Sequence, residues 1–244
     1  DYNYAHIHKA VEEGRAAFDN IRRFLTYHLT DNVAEIAPYV LWAVSAGRIP
    51  LVISVLQVLA LDIGTDLLPA LALGAERPER DVMGRPPRSR CARLLDRAVL
   101  ARAFGFLGPI EAAVSLAMLP LGAALFFGWS LGHELPHGSG ELGIVSAMVF
   151  ASIVLMQMAN ALECRSERRS LLDIGVATNK LLVGAIAIEA LMLVGFVYVG
   201  PVYRALGGRP LGAGAWAMVL GTPWVLLGAE ELRKRLIRRR SQAA

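Results

Sequence analysis

Long apolar runs alternate with polar, charged segments along the chain. Each run has roughly 18 to 25 residues, the length that an α-helix needs to cross about 30 Å of hydrocarbon. A polar, helix-prone segment over residues 1–27 comes first, and Gly- and Pro-containing turns separate several of the runs that follow. The six runs cover residues 27–46, 51–73, 104–129, 142–162, 181–200 and 211–229. The pattern predicts an all-α protein, a polytopic membrane helix bundle of six transmembrane helices.

The basic residues are concentrated in alternate segments between these runs. Residues 1–27, 76–102, 164–180 and 230–244 together hold 22 of the 25 lysines and arginines. Cytosolic segments of membrane proteins carry such an excess, so we expect both termini to lie in the cytosol. The net charge of +4 does not indicate nucleic-acid binding, because no aromatic residues for base stacking are interleaved with the basic ones. We expect no nucleic-acid partner.

Composition agrees with a membrane location. Hydrophobic residues make up 55% of the chain, whereas soluble domains have about 45–50%. The chain begins with Asp1 rather than Met, and no signal-peptide pattern follows. We therefore expect it to be part of a longer protein. Short loops and a high content of Ala, Leu and Arg favour a bacterial-style plasma membrane.

The first two apolar runs contain the densest set of acidic and polar residues. Each carboxylate near the centre of a span costs roughly 2.5–3.5 kcal/mol, so four of them cost on the order of 10 kcal/mol. Such residues require a function or a compensating partner. The third, fourth and sixth runs have the composition of ordinary lipid-compatible helices. The residues in the first two runs are Asp31, Asn32, Glu35, Asp62, Thr65 and Asp66.

The spacing of these acids predicts a cation site. Asp31 precedes Glu35 by four residues and Asp62 precedes Asp66 by four, so each pair shares one helical face. A proline three residues after each pair is expected to interrupt its helix and free backbone carbonyls. Oxygen ligands suit hard cations such as Na⁺, K⁺ or Ca²⁺, and neither run contains a Lys or Arg as counter-charge. The alternative is that the acids are protonated and hydrogen-bonded between helices.

Several motifs, in order, resemble the type II P-type cation-transporting ATPases. They are VEEGR at 11–15, FDNIRRFLTYHLTDNVAEIAPY at 18–39, LDIGTDLLPALALGAERPERDVMGRPPR at 61–88 and the tail EELRKRLIRRR at 230–240. The resemblance covers the whole chain and implies that its helices correspond to helices five to ten of the pump. Residues 1–27 would then be the end of the phosphorylation domain and the cytosolic extension of the first membrane helix. Residues 28–229 would be the membrane domain and 230–244 a basic cytosolic tail.

The resemblance also implies roles for individual residues. Asn32 and Glu35 match cation ligands of the fifth pump helix. Three residues of the next span, Asp62, Thr65 and Asp66, match ligands of the sixth.

Four further residues are additional candidate ligands. Gln157 and Asn160 fall where sodium pumps have a Gln and an Asp of an extra sodium site. Glu189 matches a membrane-embedded Glu, and Asp31 replaces a Ser or Lys of the animal pumps. The pattern around Asp62 favours Na⁺/K⁺-like chemistry, whereas Asn160 and Asp31 leave Ca²⁺ open.

Other parts that the family requires are missing from the sequence. It contains no DKTGT phosphorylation motif and no TGE actuator loop. We therefore expect no catalytic residue here, and we expect Mg-ATP to bind only to domains outside the chain. The expected partners are membrane lipid and the rest of the pump: the phosphorylation, nucleotide-binding and actuator domains and the first four membrane helices. Two alternatives are a secondary transporter or channel that uses the same carboxylates, and a non-catalytic membrane subunit.

Overall fold

The computed structural model describes residues 4–79, 81–89, 91–130 and 139–243. Within these ranges the chain is helical and contains no β-strand, which confirms the all-α prediction. The helices are α1 (Tyr4–Val44), α2 (Val55–Leu59), α3 (Leu67–Gly74), α4 (Arg97–Arg102), α5 (Gly108–Phe127), α6 (Ser139–Cys164), α7 (Leu171–Ile174), α8 (Lys180–Tyr198), α9 (Gly200–Leu206), α10 (Ala213–Val219) and α11 (Thr222–Ala243). A 3₁₀ turn covers Val176–Thr178, and two π-helical segments cover Ala60–Asp66 and Ala103–Leu107.

Four continuous helical stretches are long and apolar enough to cross a membrane. They are Val55–Gly74, Arg97–Phe127, Gly140–Cys164 and Lys180–Tyr198, and they coincide with the second to fifth predicted spans. The first predicted span is the second half of α1, whose polar residues lower its hydropathy. The sixth is divided between α10 and α11 by a break at residues 220–221. A multi-pass membrane protein is therefore confirmed, while length and hydropathy alone support four of the six spans.

Helix α6 lies at the centre of the bundle. Its most apolar stretch is 83% buried, compared with 28–39% for the other three candidate spans, and it contacts α1, α5, α8 and α11. The composition of this run is that of an ordinary lipid-compatible helix, as predicted, but its surroundings are mostly protein. A helix that is apolar on all sides can face lipid or protein equally well, and here it faces protein.

The two prolines act differently from the prediction. Pro38 lies inside α1, which continues through it to Val44, so the expected interruption of the first helix was wrong. In the second helix, the irregular part is the π-helical segment that ends three residues before Pro69. Pro69 has no N–H to donate to the Thr65 carbonyl, so the regular hydrogen-bond pattern cannot continue there. Single π-helical turns are frequent at functional sites.

A glycine allows α5 to approach α1 closely beside the predicted acids. A Cβ atom on Gly108 would lie 2.7 Å from the Val33 Cβ and 2.7 Å from the Ala103 carbonyl oxygen. Val33 lies between Asp31 and Glu35 in the sequence. This contact fixes the position of α5 relative to the acidic face of α1.

A buried arginine connects the ends of three helices. Arg165 follows α6, and its guanidinium makes a two-pronged ion pair with Glu76, at 2.8 and 3.0 Å, just beyond α3. It also donates to the Gly175 carbonyl at 2.9 Å and to the Thr178 hydroxyl at 2.5 Å, before α8. Burial opposes the charged form of Glu76, but hydrogen bonds from Arg165 and Asn179 outweigh it and lower the pKa of the Glu76 carboxyl.

A second buried joint connects α11 to its neighbours. The Lys234 ammonium donates to the Glu163 carboxylate and, at 3.0 Å, to its carbonyl oxygen, and both side chains are fully buried. Glu230 accepts from Arg102 of α4 at 2.6 Å and from Arg233 at 2.6 Å. Because isolated buried charges are unstable, these pairings fix α11 against α4 and α6.

Candidate cation-binding site

The predicted acids gather between α1, the first π-helical segment and α6. Of the five predicted ligands, Glu35, Thr65 and Asp66 are buried, and so is the additional candidate Asp31. Asn32 and Asp62 are only half-buried. The Asn32 side chain makes no hydrogen bond to another described residue, although its backbone belongs to α1. In each span, therefore, some of the predicted side chains are buried, whereas Asn32 and Asp62 are only partly so.

Gln157 of α6 links the two acidic helices. Its Nε2 donates to the Glu35 Oε1 at 3.1 Å, and its Oε1 lies 3.3 Å from the Thr65 hydroxyl. The same hydroxyl also donates to the Leu61 carbonyl oxygen at 3.0 Å. Glu35 interacts electrostatically with Asp62. One amide thus brings a carboxylate and a hydroxyl from two spans to one point.

Asn160, one turn further along α6, contacts the other acid of α1. Its Nδ2 donates to the Asp31 Oδ1 at 2.7 Å and to the Tyr27 carbonyl oxygen at 3.3 Å. Its Oδ1 accepts from the Cys164 thiol at 3.3 Å. The Asp31 Oδ2 accepts no hydrogen bond from a donor among the described residues, and the Asp31 carboxyl lies close to those of Glu111 and Asp66.

His28, which no sequence pattern marked as a candidate, contacts Asp66. The His28 Nδ1 lies 2.6 Å from the Asp66 Oδ2, and the His28 ring stacks on Phe24. The His28 side chain is 40% exposed whereas that of Asp66 is 2% exposed. The Asp66 Oδ1 has no partner within the described part of the chain. No pattern in the sequence pairs these two residues, since they lie on different helices.

Glu111 of α5 is a further buried acid that the sequence analysis missed. Its side chain is fully buried, and neither oxygen has a hydrogen-bond partner in the ranges described. It interacts electrostatically with Asp31 and Asp66. The available signal was a single ionisable residue within an apolar span, which is itself an indication of function.

Glu189 of α8 resembles Glu111 in its surroundings. It is 1% exposed, and both of its carboxyl oxygens also lack a partner among the residues described. It interacts electrostatically with Asp66 and Glu111. Glu189 therefore lies close enough to the other acids to interact with them, and its contribution to a cation site stays a prediction.

The cluster as a whole is rich in acid and poor in counter-charge. In the described ranges, no Lys or Arg forms an ion pair with any of its carboxyls, and His28 is their one basic contact. No three His, Cys, Asp or Glu side chains in those ranges are close enough together to hold a metal ion. The cluster is therefore not a closed carboxylate centre. It can supply carboxyl, amide and hydroxyl oxygens to a weakly held hard cation.

Comparisons with known proteins agree with this chemistry. The family described as "Cation transporting ATPase, C-terminus" matches residues 50–236. The chain is 31% identical to the sodium/potassium-transporting ATPase subunit alpha-4 of Rattus norvegicus, over 98% of the chain and 25% of that protein. It is likewise 31% identical to the alpha-2 subunits of Gallus gallus and Homo sapiens, over 98% of the chain and 26% of each. The chain spans about a quarter of the length of these relatives.

Proposed function

The chain belongs to the P-type cation-transporting ATPase family as its C-terminal membrane region, and we propose that it provides the cation-binding site of an ATP-driven pump. The family assignment favours a pump over a secondary transporter, a channel or a non-catalytic membrane subunit. The remainder of the pump, with its phosphorylation, nucleotide-binding and actuator domains and first four membrane helices, is the proposed partner. Mg-ATP would bind there, and this chain would contribute no catalytic residue.

The observation that carries the proposal is a group of buried carboxyls with available oxygens and no Lys or Arg partner in the described ranges. A bound cation would supply the missing positive charge. The proposed ligands are Asn32, Glu35, Asp62, Thr65 and Asp66. Proposed additional contributors are Asp31, Gln157, Asn160 and Glu189, and we add Glu111 to them because it is a fully buried acid beside Asp31 and Asp66. A helix from the rest of the pump would complete the coordination.

The length of α1 suggests how the site would be coupled to ATP. This helix has 41 residues and runs without a break from the polar segment to Glu35. A displacement of its polar end would therefore move Asp31 and Glu35 relative to Asp66 on the neighbouring span. Transport requires that the cation bind more tightly to one arrangement than to the other. Alternation between these two arrangements would change the affinity of the site for the cation and the side of the membrane from which the cation reaches it.

The identity of the ion and the orientation are part of the proposal. Oxygen ligands accept Na⁺, K⁺ and Ca²⁺, and the names of the relatives favour Na⁺ and K⁺ for those proteins. The positive-inside distribution supports cytosolic termini and basic segments next to anionic lipid. The relatives named above are animal proteins, so the bacterial plasma membrane stays a prediction from composition.

The test is cation-dependent ATPase activity of the full-length protein that contains this chain, purified in lipid. Na⁺, K⁺, Ca²⁺ and Mg²⁺ are supplied singly to the unmodified protein and to Asp66→Asn. Asp173→Asn, which removes an exposed carboxylate after α6, is the matched control. We expect one cation to stimulate the unmodified and control proteins but not Asp66→Asn. Activity that is indifferent to every cation and to Asp66→Asn would refute the proposal.

A further inference from the structure

A large cavity lies outside the acidic cluster, on the side of the basic segments. Its volume is about 740 Å³. It is lined by the first half of α1, by described residues between Glu79 and Asp96, and by residues 166–169 beyond the end of α6. The cavity falls within the range of about 300–1,000 Å³ that is typical of small-molecule sites.

The lining of this cavity is strongly charged. Among the described residues it contains eight arginines and five acids, an excess of three positive charges. The arginines are Arg15, Arg22, Arg23, Arg85, Arg88, Arg93, Arg168 and Arg169. The acids are Asp19, Glu79, Asp81, Asp96 and Glu167.

Three of the arginines use the acids to join the walls. Arg22 pairs with Asp96 at 2.6 Å, and Arg23 pairs with Glu79 at 2.8 Å. Arg85 pairs with three of the acids, one of them on α1. A hydrogen bond from Arg22 lowers the pKa of the Asp96 carboxyl, so this wall stays charged at neutral pH. These pairs give the cavity a defined shape.

The other five arginines form no ion pair with a described carboxylate. Arg15 donates to two backbone carbonyl oxygens of the 79–96 segment, each at 2.8 Å. Arg88 lies 3.8 Å from the centre of the Phe18 ring, and Arg169 donates to the Asp173 carbonyl oxygen. The side chains of Arg93 and Arg168 have no partner in the part of the chain described. These five therefore carry the net positive charge of the cavity, and Arg93 and Arg168 are the two whose side chains make no hydrogen bond or ion pair with a described residue.

We propose that this cavity binds a phosphate-bearing anion. The guanidinium group matches the geometry of phosphate through paired hydrogen bonds and keeps its charge at every physiological pH. Basic pockets next to the ends of transmembrane helices bind phosphorylated lipid headgroups, and a soluble phosphate ester has the same chemistry. A ligand here would hold together α1, the 79–96 segment and the segment after α6.

The test measures binding to the full-length protein in phosphatidylcholine nanodiscs. One arm adds phosphatidylinositol bisphosphate to the nanodisc and detects it on the protein by native mass spectrometry. The other arm titrates soluble inositol trisphosphate, and separately inorganic phosphate, by calorimetry. The variant Arg93→Gln/Arg168→Gln removes two unpaired charges from the cavity. Its control, Arg77→Gln/Arg97→Gln, removes two exposed arginines that do not line it.

We expect the cavity variant to bind at least one probe about tenfold more weakly or worse, because hydrogen bonds to charged groups are strong. The control should bind as the unmodified protein does. Lipid-only binding would identify a headgroup as the source, and binding of a soluble probe a free phosphate. Equal losses in both variants would mean diffuse surface attraction, and no binding of any probe would mean no site; either result overturns the proposal. Equal melting temperatures establish that both variants fold.

Discussion

Replacing Arg165 by Met should destabilise the protein strongly, because it leaves Glu76 buried without its counter-charge. Arg165 is fully buried, and the Glu76 side chain is 11% exposed. The substitution removes the two-pronged pair and three further hydrogen bonds, to Gly175, Val176 and Thr178.

The magnitude follows from the loss of a buried ion pair. Removing one partner of such a pair destabilises a protein by about 3–5 kcal/mol. We take the lower end, about 3 kcal/mol, because Glu76 retains some contact with solvent and a hydrogen bond from Asn179. With roughly 2–4 °C per kcal/mol for a region of this size, the melting temperature should fall by about 6–12 °C.

The measurement is thermal unfolding of the full-length protein in lipid, followed by intrinsic fluorescence. Arg77→Met, an exposed arginine next to Glu76 in the sequence, is the matched control. Glu76→Gln/Arg165→Met removes both charges and should recover part of the loss. A melting temperature for Arg165→Met equal to that of the Arg77→Met control would contradict the inference that this pair connects the three helix ends.

Three further predictions concern stability. The pKa of Glu76 is lowered from its ordinary 4.5, so the ionised carboxylate stabilises the folded protein above that pH. This stabilisation is lost as the pH falls towards the folded-state pKa. The melting temperature of Glu76→Gln should therefore fall less on acidification than that of the unmodified protein. Lys234→Met should lower the melting temperature more than Lys234→Met/Glu163→Gln does, because the single change leaves a buried carboxylate unpaired; equal losses would contradict this. Gly108→Ala should destabilise the protein by about 1–3 kcal/mol at the α1–α5 contact and lower its melting temperature. Gly105→Ala is the control: its new Cβ has no neighbour within 4 Å, so it should not lower the melting temperature in this way.

Sequence periodicity predicted the burial of Asp31 and Glu35, because residues four apart share a helical face whatever the helix contacts. It could not predict which helix supplies their hydrogen bonds. The amides of Gln157 and Asn160 lie more than 120 residues away in the sequence, and only the packed bundle brings them to α1. Each was predicted as a candidate through family resemblance rather than through spacing.

The surroundings of individual helices were harder to predict than their existence. Lipid tails and leucine side chains are equally apolar, so composition alone does not separate a central helix such as α6 from one that faces lipid. Glu111 was overlooked for a different reason: it has no acidic partner one turn away in its own run, although a lone acid in an apolar span is itself a signal. Pro69 was recognised as a disrupting residue, but whether the backbone responds with a break or with a wider turn depends on tertiary packing.

The amides of Gln157 and Asn160 make three hydrogen bonds from α6 to α1, two of them to carboxyls and one to the Tyr27 carbonyl oxygen. Gln157 contacts Glu35 and Asn160 contacts Asp31, an antiparallel register in which both contacts lie along one seam. A slide of α1 along α6 would lengthen these contacts, because they lie along one seam between the two helices. A displacement of α1 large enough to break them would therefore release both Asp31 and Glu35 from the amides that hold them.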